Sequence, residues 1–341
     1  MSASTPTVVN PTSIARVQGV DARPTISVVI PTFEPQSFLL ETLESVLEQD
    51  LGDDRTQVVV VDDGSQRTNV RELLVSLQDS KRLELREHVD TLGLAGNWNR
   101  AIGYAQGEFI HILHQDDVVA PGFYRALIDG MRRSPNIGMG FCRHAFIDEK
   151  GRTDRISHRE RWRAGVLGNW LERISERQRL QCPAAIVRRD AYELLGGFRS
   201  DLRYALDWEM WVRIAARYEV WYEPALLAYY RRHLETETSR LQATNSTAAD
   251  TLQAIGVIAQ HLPEARRARL QERAYARLAR TEVKRASKLA QRGCHDAASN
   301  HLEAAREALA LMPKGFKKSW LHSRLSRVTA RLAATRTPAN I

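Results

Sequence analysis

The sequence contains few cysteines and no long apolar run. Its 341 residues include three cysteines, Cys142, Cys182 and Cys294, without CxxC spacing, which argues against a disulfide framework and against a cysteine-ligated zinc site. No uninterrupted apolar stretch reaches the ~20 residues needed to cross a bilayer. We therefore expect a cytoplasmic protein whose membrane contact, if it has one, is peripheral on the inner face.

A signal peptide and a dinucleotide-binding fingerprint are also missing. Residues 1–24 are rich in Ser, Thr, Pro and Val and lack a basic start followed by a long apolar core, so they are predicted to form a flexible tail. No GxGxxG follows a predicted strand. This argues against a dehydrogenase.

Acidic residues are scarce towards the C-terminus. Residues 262–341 hold 18 Lys and Arg but 6 Asp and Glu, a net charge of +12, whereas the remaining 31 basic and 35 acidic residues give −4. A basic segment of this kind favours contact with an anionic membrane, nucleic acid or glycan, or else it forms a solvated helical face. The composition fits both interpretations.

From residue 25 onward, short apolar runs alternate with segments of helical periodicity. This pattern is typical of βαβ units around a mostly parallel sheet. The predicted strands are Ile26–Ile30, Val58–Val61, Leu83–Glu87, Glu108–Leu113, Ile137–Cys142 and Leu226–Tyr230, and the predicted helices are Phe38–Gln49, Arg71–Leu77, Ala95–Ala105 and Gly122–Arg132. Residues 143–180 show no clear period, and residues 247–335 have helical spacing rich in Ala, Leu and Arg.

Carboxylates follow two of the predicted strands where their apolar runs stop. Val58–Val61 is followed by Asp62 and Asp63, and the strand ending at Leu113 is followed by the run 114–117, His-Gln-Asp-Asp. In an open parallel sheet, ligands bind beyond the carboxyl ends of the strands. The spacing therefore predicts one crevice that holds carboxylates from both strand ends, as a metal and a diphosphate require.

These residues belong to a longer ordered set of motifs. The set comprises Ser27–Phe33, Val61–Ser65, Gly93–Asn99, Gly107–Ile110, His114–Asp117, Gly196–Phe198, Asp207–Arg213 and Tyr230–His233. In order and spacing it resembles glycosyltransferase family 2, the inverting enzymes with the GT-A fold. The resemblance implies an α/β, Rossmann-like, mostly parallel sheet flanked by helices in a domain over residues 25–240. Residues 241–341 lie outside the resemblance and form a predicted basic helical extension.

The resemblance implies a divalent cation, Mn or Mg, on the diphosphate of a nucleotide-sugar donor. Asp116 is the expected direct ligand, because hard cations bind carboxylate oxygen. His114 stands where the family usually has the first acid of an Asp-x-Asp motif, and it can ligate Mn more readily than Mg or hydrogen-bond the donor. His233 matches the family's late histidine and is expected to complete the metal site.

Further donor contacts are implied at the ends of the first two strands and on the helix after Gly93. By resemblance, Asp62 and Asp63 face the nucleoside, which favours uridine, although Asp-Gly-Ser is also an ordinary turn sequence. The remaining expected donor contacts are Pro31, Thr32, Phe33, Asn97, Arg100 and Gln115. Arg100 suits a phosphate.

Inverting transfer needs a general base for the acceptor hydroxyl. Asp207 matches the Asp of the family's Glu-Asp motif, with Leu206 in place of the Glu. An acid at the start of a helix also caps free amides, so capping is the alternative role. Glu209 is the fallback base.

The predicted function is transfer of a sugar from a nucleotide-sugar donor, with UDP as the favoured nucleotide, to an acceptor hydroxyl in cell-surface polysaccharide or lipid-linked glycan synthesis. A sugar nucleotidyltransferase is the alternative enzyme, although the basic phosphate loop expected after its first strand is missing. A non-catalytic nucleotide-sugar or glycan-binding subunit is the alternative from another class. No nucleic-acid partner is expected. A basic amphipathic helix over Pro313–Arg336 is predicted either to lie on an anionic membrane or to pack within the protein.

Overall fold

The chain forms two compact units. The computed structural model describes residues 11–17, 23–52, 55–77, 82–234, 236–237, 240–241, 246–312, 323 and 325–330. Unit 1 consists of residues 1–170 and 179–233, and unit 2 of residues 171–178 and 234–341. The sequence assigns all of residues 25–240 to one domain, whereas residues 171–178 group with the helical unit.

Unit 1 is built on one mixed sheet with the strand order β3-β2-β1-β4-β9-β6-β10-β5. Its strands are β1 Ile26–Thr32, β2 Thr56–Asp62, β3 Leu83–Glu87, β4 Phe109–Ile112, β5 Val118–Val119, β6 Ile137–Ile147, β7 Thr153–Ile156, β8 Gly165–Val166, β9 Ala185–Arg188 and β10 Glu219–Arg231. β7 pairs with β6, and β8 pairs with β10. The helices of this unit are α1 Phe38–Leu47, α2 Val70–Leu73, α3 Gly93–Tyr104, α4 Phe123–Met131, α6 Arg189–Leu195 and α7 Leu206–Ala215.

The block β3-β2-β1-β4 is wholly parallel. Its strands β1, β2 and β4 are buried on both faces, whereas β3 at the sheet edge is partly exposed. Even-numbered residues of β1 pack with α1 and α4 in one core cluster that contains Val28, Leu43 and Phe123. The odd-numbered residues point to the opposite face, and α3 packs on β1 and β2. Helices on both faces explain why these strands are continuous apolar runs, and the predicted fold class is confirmed.

Beyond β4 the sheet changes direction. β9 lies antiparallel between β4 and β6, and β10 returns parallel to β6. β6 extends to Ile147, five residues past its predicted end, and β7 and β8 lie in the segment for which the sequence shows no period. The pattern fails there because β7 is exposed on every residue and β8 has two residues, so neither carries an alternation.

The described part of the predicted N-terminal tail packs on unit 1. Ile14 is buried, the Thr12 carbonyl accepts from the Gly197 amide at 2.7 Å, and the Ala15 carbonyl accepts from Arg189 at 3.1 Å. The prediction of a flexible tail therefore does not describe residues 11–17. The polar composition of the tail concealed the contacts, because they are made by its backbone carbonyls.

Unit 2 is helical. It contains α8 Ser246–His261, α9 Glu264–Gln291 and α10 His295–Leu311, together with all but the first residue of α5, Trp170–Glu176. α9 buries Leu270, Leu278 and Val283, and Glu172 of α5 pairs with Arg266 of α9 at 2.7 Å. Most of the helix predicted over Pro313–Arg336 lies outside the described residues. Among the described residues, no helix is both long and apolar enough to cross a membrane.

Candidate active site

The first carboxylate after β2 shapes its own turn. Asp62 Oδ2 accepts from the Ser65 amide at 3.0 Å, and Gly64 between them has φ +81°. A Cβ at Gly64 would lie 2.8 Å from the Val89 carbonyl oxygen, so glycine is required there for both conformation and space. The turn role that the sequence left open is present, and it holds the Asp62 carboxylate at the end of β2.

The second carboxylate is bound to the start of α3. Asp63 is 2% exposed, and it accepts from the amides of Leu92 at 3.0 Å and Gly93 at 2.9 Å. Arg100, about two turns into α3, lies 3.4 Å from the same carboxylate. Asp63 therefore satisfies free amides at a helix N-terminus from another element, and Arg100 neutralises it.

The loops after β1 and β4 are joined by side-chain amides. Gln115 Oε1 accepts from the Phe33 amide at 2.9 Å, and Gln115 Nε2 donates to the Phe33 carbonyl at 3.3 Å. Asn97 Nδ2 donates to the carbonyls of Thr32 and Val61. Pro31 lies opposite Val61 of β2, and the pairing of β1 with β4 ends before it, at Val29. The N–H that proline lacks would face the β4 side, so its absence removes no hydrogen bond from the sheet. The structure thus brings together the predicted donor contacts of three elements.

His114, Asp116 and Asp117 form a compact polar cluster after β4. One potential ligand atom of each lies within 4.8 Å of the others. His114 Nδ1 lies 3.1 Å from Asp117 Oδ2. An imidazole beside two carboxylates fits the donor set of a divalent cation, with imidazole favouring Mn over Mg. Asp117 therefore belongs to this cluster.

Charge within the cluster is shared between neighbours. Burial and the charge of Asp116 raise the pKa of Asp117 to about 6. Burial alone would lower the pKa of His114, but its contacts with Asp117 and with the Cys182 thiol raise that pKa well above the ordinary value. A proton on His114 therefore offsets the negative charge of the carboxylates. A bound cation would replace that proton and offset the same charge.

The end of β10 positions the cluster from the other side. His233 Nε2 lies 2.8 Å from Asp116 Oδ2, so the predicted late histidine does reach the metal motif. Arg231 is 1% exposed; its amide donates to Asp117 Oδ1 at 2.8 Å and its Nε to the Asp116 carbonyl at 2.8 Å. Arg231 Nη2 pairs with Glu41 at 2.7 Å. Arg231 is thus a buried residue that holds Asp116 and Asp117 in position through these contacts.

The two candidate bases on α7 differ in their contacts. Glu209 is fully buried and pairs with Arg213 through two contacts of 3.0 and 2.8 Å, and Arg213 Nη2 also donates to the Gly197 carbonyl at 2.9 Å. These contacts assign Glu209 a structural role. Asp207 is 7% exposed, its Oδ1 accepts from the Trp208 amide, and the capping residue of α7 is Ala205.

Cys182 lies against His114 of the cluster. Burial raises the pKa of the Cys182 thiol, and the charges of Asp207 and Asp117 raise that pKa further. Sequence reasoning missed Cys182 because a lone cysteine 65 residues beyond Asp117 carries no spacing signal.

Comparison with known proteins identifies related sequences. The family model described as Glycosyl transferase family 2 matches residues 27–196. "Uncharacterized protein MT1568" from Mycobacterium tuberculosis (strain CDC 1551 / Oshkosh) is 30% identical over 240 residues, covering 67% of this chain and 74% of that protein. The range matched by the family model contains β1 to β9 and the polar cluster, and it ends before Asp207 and His233.

Solved structures resemble the whole described architecture. S. aureus TarS 1-349 in complex with UDP-GlcNAc aligns with a TM-score of 0.63 at 18% identity, covering 90% of this chain and 89% of that chain. The mannosyltransferase PcManGT from Pyrobaculum calidifontis, in complex with GDP-Man and Mn²⁺, aligns with a TM-score of 0.51 at 20% identity, covering 97% and 89%. At these identities the likeness shows the fold.

Proposed function

The chain belongs to glycosyltransferase family 2 and is a glycosyltransferase, and from this premise we propose that it moves a sugar from a nucleotide diphosphate donor to an acceptor hydroxyl with inversion. The observation that carries the proposal is the cluster of His114, Asp116 and Asp117 at the carboxyl end of β4. In a parallel sheet this edge is where nucleotides bind. The family match favours glycosyl transfer over the nucleotidyl transfer that the sequence left as an alternative.

A UDP-linked sugar is the proposed donor. The proposed nucleoside site is at the ends of β1 and β2, where Asn97 and Gln115 hold the backbone of Thr32 and Phe33 and the Ser65 amide holds the Asp62 carboxylate. Amide and carboxylate side chains offer a nucleoside both donors and acceptors. The complex of TarS with UDP-GlcNAc, a protein of the same fold, supports a uridine nucleotide. The complex of PcManGT with GDP-Man makes guanosine the comparison to test.

His114, Asp116 and Asp117 are the residues proposed to hold a divalent cation, with His233 orienting Asp116. Such a cation supplies neutralisation of the diphosphate charge as the sugar leaves. The Mn²⁺ in the PcManGT complex supports manganese. Hydrogen bonds from neighbouring residues orient metal ligands of this kind. Arg231 provides such bonds to the Asp117 carboxylate and to the Asp116 carbonyl.

Asp207 is the proposed general base. The acceptor oxygen attacks the anomeric carbon, the bond from that carbon to the diphosphate oxygen breaks, and the hydroxyl proton passes to the Asp207 carboxylate. The match of Asp207 to the Asp of the family's motif, in the first turn of α7, supports this assignment. The acceptor is proposed to be a hydroxyl of a cell-surface polysaccharide or lipid-linked glycan.

Titration calorimetry of UDP, GDP, CDP and dTDP, with and without Mn²⁺, tests the donor site. We expect selective UDP binding that Mn²⁺ strengthens and that Asp116→Asn weakens by at least tenfold. Asp50→Asn is the matched control, because Asp50 is an exposed carboxylate with 95% side-chain exposure. If no nucleoside diphosphate binds the wild-type protein, or if both variants weaken UDP binding equally, the proposed donor site is wrong.

A further inference from the structure

Trp162 is exposed although the other described tryptophans are buried. Its exposure is 82%, whereas Trp98, Trp170, Trp208, Trp211 and Trp221 are all 6% exposed or less. A tryptophan side chain presents roughly 150–250 Å² of surface, most of it apolar. Leaving it in water gains nothing for folding, so a partner that covers the ring would explain its position.

The segment around Trp162 presents positive charge. The loop of residues 157–164, here the Trp162 loop, contains His158, Arg159, Arg161 and Arg163, all exposed. The Arg159 guanidinium lies 4.3 Å from the centroid of the Trp162 ring. The loop's one acid, Glu160, is 3% exposed and pairs with Arg179 at 2.8 Å. The loop therefore exposes an aromatic ring and several cationic side chains to solvent, whereas its acidic side chain is buried.

Several contacts hold this loop in place. The Glu160 amide donates to the Tyr222 hydroxyl at 3.1 Å, and Arg161 Nη1 donates to the Val166 carbonyl at 2.9 Å. Because both anchors belong to the sheet, Trp162 is presented from a supported backbone. Ile156, at the end of β7 just before the loop, is also 44% exposed. The apolar and cationic groups are thus part of one built surface.

Donor binding does not account for Trp162. Tyr222, the anchor of the loop, pairs with Phe141 of β6, and Arg231 beside the polar cluster pairs with Ile147. Six residues of β6 separate the two pairs, which is about 20 Å at ~3.3 Å per residue. The anchors on either side of Trp162, Glu160 on Tyr222 and Arg161 on Val166, therefore lie remote from Arg231, whereas the loop begins nearer to it, at Ser157 beside His144.

We propose that the Trp162 loop docks this protein on an anionic phospholipid surface. Tryptophan favours the interface between water and hydrocarbon, and arginine can keep its guanidinium at the phosphates while its stem lies on apolar surface. Arg159, Arg161 and Arg163 supply the charge that anionic headgroups attract. This surface lies in unit 1 and differs from the basic C-terminal helix for which the sequence predicts membrane contact.

Sedimentation with vesicles of equimolar phosphatidylglycerol and phosphatidylcholine, compared with phosphatidylcholine alone, tests the proposal without any sugar substrate. We expect binding to the anionic vesicles only. Trp162→Ala is expected to lower the partition coefficient about tenfold through the lost ring burial. The double variant Arg159→Gln/Arg163→Gln is expected to lower it by a similar factor.

The charge-matched control is Arg280→Gln/Lys284→Gln, which removes two exposed cations from α9. We expect this variant to bind within about threefold of wild type, since its charges lie outside the loop. An equal loss in both double variants, or unchanged partition of Trp162→Ala, would overturn the proposal. An unchanged partition with a raised KM for the acceptor in Trp162→Ala would assign the ring to a glycan instead.

Discussion

Asp63 and Asp116 both follow strands of the parallel block but make different contacts. Asp63 accepts two amides at the start of α3 and is neutralised by Arg100. Asp116 is 16% exposed at its side chain and contacts an imidazole that can itself change protonation. A carboxylate such as Asp63, whose lone pairs accept from fixed backbone amides, stabilises the fold. A carboxylate such as Asp116, whose partner is the His233 side chain, can exchange that partner for a cation.

Asp63→Ala and Asp116→Asn should therefore separate stability from binding. We expect Asp63→Ala to lower the free energy of unfolding by about 1–3 kcal/mol, because buried amides lose their acceptor. Asp116→Asn should change stability by less than about 1 kcal/mol while weakening nucleotide binding. Urea denaturation of both, with exposed Asp90→Ala as the control, measures the difference. Equal destabilisation by Asp63→Ala and Asp90→Ala would contradict the helix-capping role.

His111 makes stability depend on pH. The ring is fully buried, with Nδ1 3.0 Å from the Tyr124 hydroxyl and Nε2 3.0 Å from the Pro183 carbonyl, and burial lowers the pKa of His111 to about 3. Because the unfolded chain takes up this proton near pH 6.5 and the folded protein does not, stability falls as pH drops below about 6.5. Between pH 7.5 and 5.5 the expected loss from His111 is about 1.4 kcal/mol.

Urea denaturation at pH 7.5 and pH 5.5 measures that loss. In His111→Gln, which keeps a donor and an acceptor in one neutral side chain, the pH-dependent part from this position should disappear. His158→Gln, at an exposed histidine, should retain the wild-type pH dependence. The same pH dependence in wild type and His111→Gln would show that His111 is not the group responsible.

At the scale of elements, α7 carries a structural acid and a candidate catalytic acid. Asp207 and Glu209 are two residues apart, or about 200° around the helix, so they point in different directions. Glu209 meets Arg213 and, through it, the Gly196–Gly197 loop. A Cβ at Gly197 would lie 2.2 Å from Asn99 Oδ1. The helix thus fixes the loop with one side while it presents Asp207 on another.

Exchange of each acid for its amide should divide these roles. We expect Glu209→Gln to lower stability by about 3 kcal/mol, because buried Arg213 loses its charge partner, with kcat per folded molecule within about threefold of wild type. Asp207→Asn should lower kcat at least 100-fold through loss of the base and leave the unfolding midpoint nearly unchanged. Chemical denaturation and a transfer assay measure both quantities.

The opposite pattern would exchange the assignments of the two acids. If Glu209→Gln abolished transfer in a fully folded protein, Glu209 would be the base despite its pairing with Arg213. A pH–rate profile adds a second readout for Asp207. Its acidic limb should disappear in Asp207→Asn if that carboxylate must be ionised for transfer.

At the scale of the whole molecule, the two units have cores of different composition. The core of unit 1 holds large side chains such as Phe109, Phe123 and Tyr124. The buried positions of unit 2 include many alanines, among them Ala279, Ala286, Ala298, Ala305 and Ala308. Because small side chains bury less apolar area per residue, unit 2 is expected to have the lower stability.

Urea unfolding followed by two signals should therefore give two midpoints. Six of the seven tryptophans belong to unit 1, so fluorescence reports that unit, whereas circular dichroism at 222 nm includes the long helices of unit 2. We expect part of the dichroism to be lost at lower urea than the fluorescence change. Coincident transitions would show that the units unfold together.

Sequence alone determined the parallel block, the family and the carboxylates at the strand ends. Strands buried on both faces are unbroken apolar runs, and the residues that follow them converge by topology. The placement of His114 with Asp116, and of Asp62 with Asp63, at the carboxyl ends of β4 and β2 was therefore predictable. Their function as one site remains a proposal. The resemblance to glycosyltransferase family 2 is confirmed by the family match.

Tertiary structure decided which carboxylates are already occupied. Asp63 is bound by amides 29 and 30 residues away, and the Asp117 carboxylate accepts from the Arg231 amide 114 residues away. Period and composition describe local conformation and burial, whereas these partnerships depend on where distant backbone donors and side chains meet. The exposure of Trp162 was also decided by the tertiary structure, because nothing in the sequence distinguishes it from the buried tryptophans.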